Sequence, residues 1–92
     1  MSIYKIDAEP RQTGTTPSGK PYVRLAYYMQ NLDAQKDWKS IPGAIIGDTP
    51  EEAMEKAKAI SDQLDGLDIK EMGLKVKVLM KNGDMIQHIR KH

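Results

Sequence analysis

The stretch LKVKVLMKNGDMIQHIRKH, residues 74–92, decides which fold the chain adopts. Asn82-Gly83 between two alternating apolar runs is the signal of a two-residue type I′ turn. It predicts a hairpin whose register follows from the turn. Lys81 pairs with Asp84, Met80 with Met85, Leu79 with Ile86 and Val78 with Gln87. Further out, Lys77 faces His88, Val76 faces Ile89 and Lys75 faces Arg90. Leu74, Val76, Val78, Met80, Met85 and Ile89 then share a core face. Lys75, Lys77, Lys81, His88 and Arg90 share the other, around Leu79 and Ile86. A slip of one residue would bury the lysines, so the pattern specifies this register.

Immediately upstream, GDTPEEAMEKAKAISDQLDG (47–66) carries a complete set of helix signals. Thr49 suits the N-cap and Pro50 the first helical position. Glu52, three residues after Thr49, completes a capping box. Asp48, Glu51 and Glu52 complement the helix dipole. Ala53, Ala57, Ile60 and Leu64, with Met54 beside them, form one apolar stripe. The prediction is a helix over 50–64, with Gly66 as its stop.

The first half reads as strands. SIYKIDA (2–8) has β-branched and aromatic residues and no breaker. EPRQTGTTPSGKP (9–21) collects turn residues and reads as a loop. YVRLAYYMQ (22–30) alternates: Val23, Leu25, Tyr27 and Met29 on one face, and Tyr22, Arg24, Ala26 and Tyr28 on the other. NLDAQKD (31–37) breaks it. WKSIPGAII (38–46) is a weaker third strand, interrupted by Pro42 and Gly43. Trp38 is expected as a core anchor. The fold expected is α+β in the order β-β-β-α-β-β: an antiparallel sheet of about five strands with one helix on its apolar face. The same element order occurs in oligonucleotide-binding barrels.

Ninety-two residues predict one domain, 1–92. The absence of cysteine excludes disulfides and thiolate chemistry. No apolar run approaches a membrane span, and the expectation is a soluble protein of the bacterial cytoplasm. Net charge is +1, unevenly distributed: residues 1–47 carry +2, 48–69 carry −5 and 70–92 carry +4. That separation suggests two faces of opposite sign.

GTTPSGKP (14–21) has the spacing of a phosphate-binding loop. The lysine is followed by Pro21, which lacks the hydroxyl that would ligate Mg²⁺, and by a strand rather than a helix. His88 and His92 do not form a metal pair, the serines have no evident base, and the glutamates read as a solvated helix face. The chain therefore reads as non-enzymatic, with no catalytic residue, metal, cofactor or small-molecule substrate. The best candidate site is the basic hairpin face, Lys75, Lys77, Lys81, His88 and Arg90, which suits phosphates. Arg24 and Tyr28, beside Tyr22 on one strand face, could stack on bases.

Three resemblances bear on function. TPSGKPYVRLAYY (16–28) loosely resembles the first hairpin of single-strand-binding proteins of the oligonucleotide-binding type, which implies binding of free single strands. IPGAIIGDTPEEAMEKAKA (41–59) resembles HicB-type antitoxins through Pro42, Gly43, Gly47, Asp48, Thr49, Glu51, Glu52 and Ala53, which implies silencing of a small toxin. In size, composition and general character the chain resembles phage-encoded anti-CRISPR proteins of type I systems. That resemblance implies a protein that binds an RNA-guided surveillance complex and stops it engaging DNA. On that reading the basic hairpin would meet guide RNA, and Glu51 and Glu55 would meet protein.

Overall fold

The computed structural model describes residues 5–30 and 37–85. Its elements are β1 (Lys5–Thr15), β2 (Pro21–Gln30), β3 (Lys39–Ser40), β4 (Ile45–Ile46), α1 (Pro50–Leu64) and α2 (Ile69–Lys81). The class is α+β, as the sequence implies, with a four-stranded antiparallel sheet. The order differs: among the described residues four strands precede two helices, and α2 follows α1 in place of the expected hairpin.

The hairpin is the main correction. Residues 69–81 are helical because Met72, Val76 and Leu79 repeat at helical spacing and are all buried. Asp68 caps the helix: its carboxylate accepts from Glu71 N at 2.7 Å, and the Glu71 carboxylate accepts from Asp68 N at 3.1 Å. Asn82-Gly83 is the helix stop. Asn82 is the C-cap and Gly83 has φ +86°, while Gly83 N donates to Met80 O at 3.1 Å and Asp84 N to Leu79 O at 3.0 Å. These are the two bonds of a Schellman motif, which needs the same left-handed glycine that a type I′ turn needs. Lys75, Lys77 and Lys81 therefore lie on a helix. Leu74 and Val78, expected in the core, are 58% and 53% exposed; Leu79, expected outside, is buried. His88 and Arg90 lie outside the described residues.

β1 is longer than expected and absorbs residues 9–15, leaving a loop of only 16–20 between it and β2. Thr16 closes that loop: its hydroxyl accepts from Lys20 N at 3.0 Å, and its N–H donates to Lys20 O at 2.7 Å. Pro10 is tolerated because β1 is an edge strand. Ile6 N donates to Leu67 O at 2.8 Å and Ala8 N to Asp65 Oδ1 at 2.6 Å, both away from β2. Pro10 is the next position in that row and has no N–H to satisfy.

The interruption at Pro42-Gly43 splits the expected third strand into β3 and β4, which both pair with β2. Tyr27 stands opposite Lys39 and Ala26 opposite Ser40; further along, Val23 stands opposite Ile45 and Tyr22 opposite Ile46. α1 starts as the sequence predicts, with Thr49 Oγ1 accepting from Glu52 N at 3.0 Å. The Glu52 carboxylate reaches back to Asp48 N at 3.2 Å, one residue before the cap. Ile6, Ala8, Val23, Leu25, Ile41 and Ile45 from the sheet side meet Ala53, Ala57, Ile60 and Leu64 of α1 and Met72, Val76 and Leu79 of α2. This helix layer covers one sheet face and, among the described residues, leaves the other open.

Candidate functional site

The open face is built from alternation. With Val23 and Leu25 turned to the core, β2 must present Tyr22, Arg24, Ala26 and Tyr28 on the opposite side. The β1 register sets Asp7 opposite Tyr28, Glu9 opposite Ala26, Gln12 opposite Arg24 and Gly14 opposite Tyr22. Trp38, one residue before β3, continues that strand's register to stand beside Tyr28. Their ring centroids lie 4.5 Å apart with planes at 77°, an edge-to-face pair.

A β-bulge completes the cluster. The β1–β2 register shifts between Pro10 and Gln12, so Arg11 is an inserted residue. Its guanidinium lies 4.2 Å from the centroid of the Trp38 ring, while Nη1 is 3.3 Å from Glu9 Oε1. The arginine thus stacks on an aromatic face and is held at its rim by a carboxylate. Ala26 points to the same side yet is only 6% exposed, so the side chains around it cover it. Trp38 itself is half-buried and lies outside the core cluster, which corrects its expected role as a core anchor.

Of the residues named from sequence, Arg24 and Tyr28 are on this face, both half-buried. Lys75, Lys77 and Lys81 belong to α2 and Glu51 and Glu55 to α1, in the helix layer. Arg11 and Trp38 escaped sequence reading. A bulge leaves no signature in residue types, and the size of a tryptophan argues for the core.

Charge on the open face is mixed among the described residues: Asp7 and Glu9 against Lys5, Arg11 and Arg24, a net of +1. A polyanion-binding groove would be basic. Tyr, Trp and Arg with charges of both signs are instead the composition of protein-interface hot spots.

The pseudo-phosphate loop has another use. Lys20 Nζ lies 2.9 Å from Asp48 Oδ1. That bond and charge raise the lysine above its ordinary pKa and hold Asp48 below its own. The pair ties the β1–β2 loop to the start of α1. The residues shared with the antitoxin pattern also have local roles. Gly47 lets the chain pass the helix start, since a Cβ there would sit 2.5 Å from Ala53 N. Among the described residues no group of three metal-ligating side chains occurs, and no helix is long and apolar enough to cross a membrane. No protein-family model matches the chain, no curated protein matches it in sequence, and no solved structure matches its fold.

Proposed function

We propose that this is a non-enzymatic binding protein that acts by occupying the surface of a protein or ribonucleoprotein partner. The observation that carries this reading is the Arg11–Trp38–Tyr28 cluster, with Arg24 beside it, on a sheet face that neither α1 nor α2 covers. Tyr28 and Trp38 are large aromatic side chains in contact, and Arg11 is held against Trp38 and Glu9, so less entropy is lost when a partner covers these three. Charges of both signs on this face favour a protein surface over bare phosphates. The specific form proposed is an anti-CRISPR-like inhibitor of an RNA-guided surveillance complex.

The test is a gel shift of a purified type I surveillance complex on its target duplex, with this protein added. Inhibition of DNA binding is expected. Tyr28→Ser combined with Trp38→Ser should weaken it about tenfold or more, the scale of a lost hot spot. No inhibition, or equal inhibition by the double variant, rejects the proposed form. Salt-sensitive binding of a free thymidine oligonucleotide, lost in the same variant, would support the single-strand reading instead.

A further inference from the structure

The helix layer carries a second feature, independent of the open sheet face. On α1, the side turned away from the core presents Glu51, Glu55 and Asp62. On α2, the corresponding side presents Lys70, Lys77 and Lys81. All six are exposed, and none takes part in an ion pair among the described residues.

Their spacings match in opposite directions. Read forward from Glu51, the acids fall at steps of four and then seven residues; read backward from Lys81, the lysines fall at steps of four and then seven. At 1.5 Å rise per residue, each row runs about 6 Å and then about 10 Å along its axis. Two antiparallel helices therefore bring Glu51 to Lys81, Glu55 to Lys77 and Asp62 to Lys70 together. Lys58, the cation on the α1 row, falls opposite Leu74 and meets no lysine. Within one chain these sides point outward from a shared core, so the match is available only between molecules.

Apolar surface lies in the same place. Leu74 and Val78 are 58% and 53% exposed, one turn apart beside the lysine row, and they border a shallow hollow lined also by Leu67, Glu71 and Lys75. Exposed Ala59 lies along the flank of the acidic row. Its small side chain leaves room for Leu74 from a facing helix. We propose that the occupant of the α2 surface is a second copy of this chain, docked through its α1 in antiparallel alignment. If each copy offers α1 to the other's α2, the contact is self-complementary and closes as a dimer.

Exposed ion pairs and two apolar side chains make a weak contact, with a Kd between about 1 µM and 1 mM. Sedimentation equilibrium over that range should show a monomer–dimer equilibrium that weakens as salt is raised. Reversing the lysines (K70E, K77E, K81E) should weaken association at least about tenfold, since like charges then face one another. Reversing the acids (E51K, E55K, D62K) should do the same. An equimolar mixture of the two triple variants restores opposite charge at both contacts and should associate again.

Two controls separate this contact from general attraction and misfolding. L74S with V78S leaves charge unchanged and should still weaken association. A variant that reverses Lys5 and Lys39 instead (K5E, K39E), in the sheet layer, should associate as wild type. Each variant should keep the wild-type circular dichroism spectrum. Y28S with W38S should leave association unchanged, which distinguishes this contact from the open sheet face. A monomer throughout the range, association unaffected by either reversal, or no rescue in the mixture overturns the proposal. Binding of anionic vesicles or RNA by a monomer, lost on reversing the lysines, overturns it too and reassigns the row.

Discussion

Arg11 depends on one inserted residue for its position. Without the bulge its side chain would follow the alternation of β1; with it, the guanidinium reaches Trp38. Arg11→Ala should cost about 0.5–1 kcal/mol, the scale of an exposed cation–π contact, and should red-shift the emission of the single tryptophan as water reaches its ring. Chemical denaturation and fluorescence check both. Asp65 offers a test through pH. Burial pushes its carboxyl above the ordinary 3.8, against the opposing pull of the Ala8 N–H, and nearby Asp7, Asp62 and Glu9 push the same way as burial. The folded chain therefore binds this proton more tightly than the unfolded chain. This group's contribution to stability falls as pH rises through the window just above 3.8. Asp65→Asn keeps an acceptor for Ala8 and removes the titration. Relative to wild type, it should be more stable at pH 7 than at pH 3 when urea midpoints are compared.

At the scale of elements, α2 makes opposite demands to the hairpin expected from its sequence. Leu79→Ala should cost about 2–5 kcal/mol as a core truncation, and Leu74→Ala no more than about 0.5 kcal/mol as a surface change. A hairpin would reverse that order, so urea denaturation of the two variants decides between them. Thr49→Ala should cost about 1 kcal/mol through loss of the α1 cap, with a lower urea midpoint and unchanged slope. The start of α1 was legible because its signals are local: a hydroxyl, a proline and an acid within four residues. β2 was legible because its faces differ, and Pro42-Gly43 correctly marked the break between β3 and β4. α2 was misread because LKVKVLMK satisfies both periods at once and Asn-Gly serves both a helix stop and a turn. What separates them is Asp68 with Glu71, a capping pair that lies upstream of LKVKVLMK. For the site, Arg24 and Tyr28 followed from alternation, whereas Arg11 and Trp38 depend on pairing between distant residues.

For the whole molecule, the division of labour is between a nearly neutral open sheet face and a helix layer with segregated charge. The acidic middle and basic end of the chain are real features of α1 and α2, although they lie on neighbouring helices and not on a helix and a hairpin. The closure of the β1 edge also has a consequence for synthesis. The N–H groups of Ile6 and Ala8 find their acceptors on Leu67 and Asp65, about sixty positions later in the chain. A ribosome emits the β1–β2 pair long before those acceptors emerge. Throughout that interval the outer side of the first strand is an open template, interrupted at Pro10 and the adjoining bulge. The nascent chain is therefore most exposed to mispairing with its neighbours on a polysome, and becomes safe from it only when the link between the two helices has left the exit tunnel.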